Sequence, residues 1–216
     1  MIPRVKICCI GSLEEARMAI DAGASALGLV GQMPSGPGVI SDELIFSISG
    51  SVPPPVGTFL LTSETRANDI INHWNRCHTN TIQLVDAVSN DTYLALRKSL
   101  PGVKLVQVIH VQDEKSVDEA LEIAPLVDAI LLDSGNPNLE IKELGGTGRT
   151  HNWTLSRKIR ESISVPIFLA GGLKPENIRQ AIDEVKPFGI DICSGVRTYD
   201  KLDAEKLERF MNEVHR

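Results

Sequence analysis

The chain has 216 residues, of which 42% are hydrophobic and 23% are charged, a balance that excludes disordered, collagen-like and coiled-coil proteins. This length fits one large domain or two small ones. A net charge of −6 and an aromatic share of 4% argue against nucleic acids and anionic membranes as partners, because those partners favour basic surfaces and, for single strands, aromatic stacking.

The four cysteines, at positions 8, 9, 77 and 193, form no C-x-x-C pair, so neither a zinc ribbon nor a thioredoxin motif is indicated. Adjacent Cys8 and Cys9 are expected on opposite faces of a strand. The amino-terminal segment resembles no signal peptide, and no apolar run approaches the ~20 residues of a membrane span. We therefore expect a cytoplasmic protein with reduced thiols.

Short segments rich in Val, Ile and Leu alternate with longer segments of helical periodicity. The first helix is expected between Ser12 and Gly23, because Ser12 and Glu15 form a capping box and glycine commonly follows a helix end. Further helices are predicted at 42–48, 63–77 (capped by Ser63), 90–99, 116–124, 154–162, 175–185 (Pro175 in its first turn) and 203–214. Strands are predicted at 5–10, 26–30, 56–61, 81–85, 103–110, 129–133, 166–170 and 189–193.

These elements form eight strand–helix units of about 27 residues each. The strands are continuously apolar, as expected for parallel strands buried on both faces and joined by right-handed crossovers. The pattern predicts an α/β fold, a single (β/α)8 TIM barrel that spans residues 1–216 as one domain. An open, doubly wound sheet is the alternative.

Active sites of such barrels lie at the carboxyl ends of the strands. Gly171 and Gly172 follow the seventh strand, and Ser194 and Gly195 follow the eighth, where barrels commonly bind phosphate. The alternative is that these glycines only form tight turns. The loop 134–152 adds candidates for substrate and phosphate binding at Gly146, Gly148 and Arg149, in a pattern that matches neither a dinucleotide fingerprint nor a P-loop.

An acid–base pair is the second candidate feature of the barrel mouth. Asp133 ends a buried strand, where a carboxyl group is costly unless it is paired or functional, and burial favours its protonated form. Cys8 ends the first strand, and Lys6 on the same face can stabilise a thiolate. The alternative for Cys8 is a small buried hydrophobic residue. Asp191 is a candidate for binding a ligand hydroxyl or the loop backbone.

Several motifs together resemble phosphoribosylanthranilate isomerase of tryptophan biosynthesis. They are Val5-Lys6-Ile7-Cys8, Ala-Gly-Ala-x-Ala-Leu-Gly at 22–28, Gln83-Leu84, Asp133-Ser134, Gly-Gly-Thr-Gly-Arg-Thr at 145–150, Ala-Gly-Gly-Leu at 170–173 and Asp191-x-x-Ser-Gly-Val. The resemblance covers essentially the whole chain. The chain is therefore similar to a family of (β/α)8 barrels that carry out an Amadori rearrangement, an aldose–ketose isomerisation of an N-linked ribosyl phosphate.

The resemblance implies that Asp133 is the general acid, that Cys8 is the general base, and that no metal or organic cofactor takes part. It also implies a phosphorylated sugar as the small-molecule partner of a monomer or homodimer. Two alternatives to this activity are a paralogous isomerase for a different amino-sugar phosphate and a non-catalytic barrel that binds phosphorylated metabolites.

Two positions depart from the family pattern. Gly38 stands where the family usually has an arginine that pairs with the anthranilate carboxylate, and Val85 stands where it usually has a histidine, followed here by Asp86. Loss of a charge-assisted pair costs ~1.5–3 kcal/mol. Anthranilate binding is therefore disfavoured unless Arg149 or Arg197 takes over, and the chain is expected to be a divergent member of the family.

Overall fold

The computed structural model describes residues 2–34, 36–135 and 150–216. Its eight main strands are β1 (Arg4–Ile7), β2 (Ala26–Val30), β3 (Gly57–Thr62), β4 (Thr81–Leu84), β5 (Lys104–His110), β6 (Ala129–Asp133), β7 (Ile167–Leu169) and β8 (Gly189–Ile192). All pair in parallel in chain order, and β1 pairs with β8 to close the barrel. The predicted (β/α)8 barrel is confirmed, and the open doubly wound sheet is excluded.

Within the described ranges, eight helices surround the barrel: α1 (Leu13–Asp21), α2 (Asp42–Ser51), α3 (Ala67–Cys77), α4 (Asn90–Ser99), α5 (Lys115–Ile123), α6 (Trp153–Ser162), α7 (Ile178–Val185) and α8 (Ala204–His215). A 3-10 turn (Ala124–Leu126) follows α5. Between β8 and α8 lie a second 3-10 turn (Ser194–Val196) and a hairpin of β9 (Arg197–Thr198) and β10 (Lys201–Leu202). No helix of the described ranges is both long and apolar enough to cross a bilayer.

The strands are buried on both faces, as their composition predicts. On β2, Leu27 and Leu29 belong to the large core between barrel and helices, whereas Ala26 and Val30 belong to a smaller core inside the barrel. This alternation follows from the two-residue period of a strand. Each strand therefore presents one row of side chains to the helices and one to the barrel interior, and the interior row leads up to the mouth.

Two predicted helix starts are wrong. α3 begins at Ala67 rather than at Ser63, and its cap, Arg66, makes no side-chain capping bond. The chain before it stays extended as Thr62 Oγ1 accepts a hydrogen bond from the Glu64 amide. α7 begins at Ile178 rather than at Pro175, because a turn precedes it in which Asn177 Oδ1 accepts the Lys174 amide.

The first strand is shorter than predicted and ends at Ile7. Cys9 has a φ of 62°, in the left-handed region, and this turns the chain out of the barrel wall toward α1. Cys8 and Cys9 consequently both line the cleft at the barrel mouth. The expectation that they point to opposite faces of one strand is wrong, since neither belongs to the strand.

Candidate active site

A cleft opens at the carboxyl ends of the strands. Of the predicted site residues, it is lined by Cys8, Asp133, Gly171, Gly172, Asp191 and Ser194. Residues in or just after the carboxyl ends of β1, β6, β7 and β8 thus meet at one site, because parallel strands of a closed barrel end on the same face. Predicted residues Gly146, Gly148 and Arg149 lie outside the described residues.

Asp133 is the last residue of β6 and is only 8% exposed. Its Oδ1 accepts a hydrogen bond of 2.7 Å from the Ser134 amide, and His110 stands opposite it on β5. Burial raises the pKa of this carboxyl group, and nearby Asp191 acts in the same direction. The Ser134 hydrogen bond and the charges of His110 and Lys6 oppose the rise without cancelling it. A carboxyl group in this environment favours its protonated form, as an acid catalyst requires.

Lys6 lies fully buried inside the barrel, and its ammonium donates a 2.8 Å hydrogen bond to Asp191 Oδ1. Burial alone disfavours the charged form, but Asp191 and Cys8 outweigh it, and the pKa of Lys6 is raised. The predicted candidate Asp191 is therefore engaged by a buried cation. Its carboxylate still reaches the cleft.

Gly28 on β2 brings Lys6 and Cys8 together. A Cβ atom at this position would lie 2.8 Å from Cys8 Sγ and 3.0 Å from Lys6 Nζ. The sulfur and the nitrogen therefore lie within about 6 Å of each other, a range in which a positive charge favours an ionised neighbour. A positive charge thus stands close to the sulfur of Cys8, as the sequence predicted.

Gly171 and Gly172 line the cleft with positive φ values of 81° and 61°. A Cβ atom on Gly171 would lie 3.1 Å from Asp133 Oδ1, so glycine here leaves the carboxyl group accessible. Gly195 does not line the cleft, and a Cβ atom there would overlap the carbonyl oxygen of Leu173. Close packing between the loops after β7 and β8 thus accounts for the glycine at 195.

The model of the family described as N-(5'phosphoribosyl)anthranilate (PRA) isomerase matches residues 5–213. The chain belongs to this family. The isomerase from Methanocella arvoryzae is 30% identical over 212 residues, covering 98% of this chain and 97% of that protein. N-(5'-phosphoribosyl)anthranilate isomerase 2 from Methanosarcina mazei is 34% identical over 214 residues, covering 99% and 93%.

Solved structures of the family share the fold over nearly the whole chain. The phosphoribosylanthranilate isomerase of Thermotoga maritima superimposes with a TM-score of 0.84 at 31% identity, covering 99% of this chain and 98% of that one. A phosphoribosylanthranilate isomerase in complex with reduced 1-(o-carboxyphenylamino)-1-deoxyribulose 5-phosphate has a TM-score of 0.81 at 29% identity, with the same coverage.

The loop after β2 contributes to the cleft and carries Gly38, where the resemblance leads us to expect an arginine. Gly36 and Pro37 line the cleft, and Gly38 has a φ of 80°. A Cβ atom on Gly38 would lie 2.5 Å from Cys9 Cβ, so an arginine cannot replace Gly38 without moving this loop. The neighbouring cleft walls are apolar, formed by Val30, Met33, Leu61, Val85 and Val108.

Arg197 does not take over the role of the missing arginine. Its Nη2 donates hydrogen bonds to the carbonyl oxygens of Cys8 and Cys9 and forms an ion pair of 3.1 Å with Glu15. Its side chain is 8% exposed. The guanidinium therefore holds the loop after β1 against α1. Asp86 is half-buried, accepts the Ala87 amide and does not line the cleft.

Gln83 and His110 are polar groups of the barrel mouth that the sequence interpretation left without a role. Gln83 Oε1 is buried, faces the cleft and has no partner among the described residues. His110 Nε2 donates a hydrogen bond of 3.3 Å to the Val85 carbonyl oxygen, while its Nδ1 has no described partner. The sequence signal that could have identified them is a polar residue among the apolar residues of a strand, at a position that faces the barrel interior.

A further group of ionisable residues lies between the outer helices. Atoms of Asp42, His73 and Cys77 lie within 4.8 Å of one another. Asp42 also forms an ion pair with Arg76, and His73 Nδ1 lies 3.0 Å from Thr62 Oγ1. These contacts join α2, α3 and β3 in a hydrogen-bond network, and none of these residues lines the cleft.

Proposed function

We propose that this chain catalyses the Amadori rearrangement of N-(5'-phosphoribosyl)anthranilate in tryptophan biosynthesis. One observation carries the proposal: the buried carboxyl group of Asp133, whose pKa is raised, shares a single cleft with the Cys8 thiol and with the glycines after β7. Membership of the isomerase family favours this activity over an isomerase with another substrate and over a non-catalytic binding barrel.

Asp133 is the proposed general acid. Its proton goes to the furanose ring oxygen as the bond from that oxygen to C1' breaks, and the nitrogen lone pair forms the Schiff base. The burial of the carboxyl group supports this role, since burial raises its pKa and so favours the protonated form that donation to the ring oxygen requires. His110 stands opposite in register and stabilises the carboxylate that remains.

Cys8 is the proposed general base. Its thiolate removes the proton from C2', which gives an enolamine, and the enolamine becomes the ketone when its hydroxyl proton is lost and C1' is protonated. Lys6 supports this role because its buried ammonium and the sulfur converge over Gly28. Asp191 holds Lys6 in place and offers its other oxygen to a ribose hydroxyl.

The phosphate and aglycone ends of the site follow from the remaining lining residues. Gly171, Gly172, Ser194 and Gly195 are the proposed phosphate contacts, in the region that barrels commonly use. Gly146, Gly148 and Arg149 remain sequence-based predictions, with Arg149 as the proposed partner of the anthranilate carboxylate. Among the described lining residues no positive side chain faces the aglycone end.

The proposal extends to partners and location. The partner is a phosphorylated sugar, like the deoxyribulose 5-phosphate compound bound in one of the structurally similar isomerases. The assembly is a monomer or a homodimer, and one structurally similar chain derives from the dimeric enzyme of Thermotoga maritima. Four free thiols support a cytoplasmic location, and the net charge of −6 argues against nucleic acid as a partner.

The decisive experiment combines growth rescue with kinetics. The wild-type gene should restore growth of a tryptophan auxotroph that lacks this isomerase. Asp133→Asn and Cys8→Ser should each lower kcat by roughly 10²- to 10⁴-fold, because each removes one proton-transfer group. Cys77→Ser, at a buried site between α2 and α3 away from the cleft, is the matched control and should retain activity. A folded wild-type protein without isomerase activity, or full activity in both variants, would refute the proposal.

A further inference from the structure

Two cysteines outside the proposed acid–base chemistry meet at the barrel mouth. Cys9 follows β1 and Cys193 follows β8, and their sulfur atoms lie 2.8 Å apart. Those two strands are neighbours where the barrel closes, and the Cys8 amide donates to the Ile192 carbonyl at 2.8 Å beside the pair. A disulfide bond measures ~2.03–2.05 Å. The sulfurs therefore need to approach by less than an ångström.

The surroundings hold Cys9 in this position. Its φ of 62° lies in a region where glycine is the usual residue and other residues carry a cost of about 1–3 kcal/mol. Gly38 leaves room for it, because a Cβ atom there would lie 2.5 Å from Cys9 Cβ and 3.1 Å from its sulfur. Arg197 binds the Cys9 carbonyl oxygen. The backbone angle, the space beside Gly38 and the Arg197 hydrogen bond together hold the backbone of Cys9 in this position.

The two thiols differ in exposure and acidity. Cys9 is 6% exposed, whereas Cys193 is partly exposed and lines the cleft. The hydrogen bond with Cys9 and then the charge of Arg197 lower the pKa of Cys193, against burial and the charge of Asp191. The pKa of Cys9 is raised, first by its hydrogen bond to Cys193. Cys193 thus has the character of an attacking thiolate and Cys9 that of a resolving thiol.

We propose that Cys9 and Cys193 form an oxidation site that a hydroperoxide closes to an intramolecular disulfide. The Cys193 thiolate attacks one oxygen of hydrogen peroxide, the O–O bond breaks, and sulfenic acid and hydroxide form. The Cys9 sulfur then attacks the Cys193 sulfur, and the sulfenic oxygen leaves as water with the Cys9 proton. Two thiols are oxidised by two electrons, and the peroxide is reduced. A dithiol reverses the bond by exchange.

Formation of the disulfide is expected to shift the neighbouring residues of the site. Cys9 directly follows Cys8, and Cys193 directly precedes Ser194, so the new bond draws together the segments that carry both. A displacement of one ångström at a reacting centre can cost about 10²-fold in rate. We therefore expect the disulfide form to lose about tenfold or more in kcat/KM and to regain it on reduction.

The test is thiol chemistry on the intact protein, which does not depend on the enzymatic assignment. Purified reduced protein is treated with hydrogen peroxide, and its mass, free thiols and cysteine-linked peptides are determined. The expected form has lost two hydrogens, retains two of its four thiols, links peptides containing Cys9 and Cys193, and reverts with dithiothreitol. Cys193→Ser and Cys9→Ser should not form this link, and Cys77→Ser should form it as the wild type does.

Several outcomes would overturn the inference. They are a Cys8–Cys9 link in place of the predicted one, four free thiols after treatment, or oxidation of Cys193 to a sulfinic acid without any disulfide. The variants Cys193→Ser and Cys9→Ser also separate oxidation of Cys8 from formation of the disulfide. A loss of activity that is caused by the disulfide is reversed by a dithiol and is absent in Cys193→Ser. Unchanged kcat/KM in a fully closed form would contradict the coupling to the site.

Discussion

Lys6 shows how single residues at the barrel mouth depend on buried charge. Its ammonium is fully buried and is bonded to Asp191. A buried ion pair adds little net stability, but the loss of one partner leaves an uncompensated charge in a poorly polarisable interior. The same pair supplies the positive charge beside Cys8. Lys6 thus supports the proposed base Cys8, and loss of its partner Asp191 would destabilise the fold.

Removal of the carboxylate from Asp191 should therefore destabilise the protein. Asp191→Asn is expected to lower the free energy of unfolding by about 3–5 kcal/mol at neutral pH, and Asp191→Asn with Lys6→Met should recover much of that loss. Because the pKa of Lys6 is raised, the contribution of the pair is complete at neutral pH and is lost as the pH rises into the alkaline range. Urea unfolding at several pH values measures this. Equal stability of Asp191→Asn and wild type would contradict it.

Among the secondary-structure elements, most boundaries follow from local chemistry. Ser12, Ser41 and Ser89 cap α1, α2 and α4 through side-chain bonds to the helix amides, and the sequence pattern shows such caps directly. The start of α3 was predicted wrongly because Ser63 is a residue type that commonly caps helices. In the structure, Thr62 Oγ1 accepts a hydrogen bond from the Glu64 amide, and the helix begins only at Ala67. Which of the two residues bonds to the backbone depends on where the end of β3 lies in the folded barrel, so the spacing of polar residues in the sequence cannot show it.

The uncapped start of α3 offers a stabilising substitution. Arg66→Ser is expected to raise the free energy of unfolding by about 0.5–1 kcal/mol, because the serine hydroxyl can accept a free amide of the first helical turn. The exposed ion pair of Arg66 with Asp69 is lost but contributes little. Ser89→Ala at the capped start of α4 is the converse control and should lose about 1 kcal/mol. Denaturant titration measures both, and a loss of stability in Arg66→Ser would count against this account.

At the scale of the whole molecule, one carboxylate ties the two ends of the chain together. Glu15 on α1 accepts the Gly11 amide, the Leu202 amide and hydrogen bonds from Arg197. Although burial opposes it, these contacts with Leu202 and Arg197 hold the pKa of Glu15 below its usual value. The amino-terminal units and the last hairpin are thereby joined next to the β1–β8 seam that closes the barrel.

This contact predicts an acid-sensitive seam. A carboxyl group with a lowered pKa stabilises the fold above its unfolded pKa, and the contribution is lost as the pH falls through the folded value. Glu15→Gln should lower the free energy of unfolding by ~1–3 kcal/mol at pH 7. Its thermal transition should approach that of the wild type at acid pH. Glu161→Gln, on the exposed surface of α6, is the control with little effect at any pH. A pH-independent difference for Glu15→Gln would exclude the electrostatic explanation.

The sequence by itself determined the eightfold alternation, the closed barrel and the strand ends at which Asp133, Gly171 and Asp191 stand, because two-residue and helical periodicities and apolar strands are local properties of the chain. Only the tertiary structure decided which distant polar groups meet: Lys6 with Asp191, Arg197 with Glu15 instead of a substrate, and Cys9 with Cys193. Each of these contacts joins residues far apart in the chain or turns on a backbone angle. Such contacts arise when the barrel closes, and no spacing along one strand encodes them.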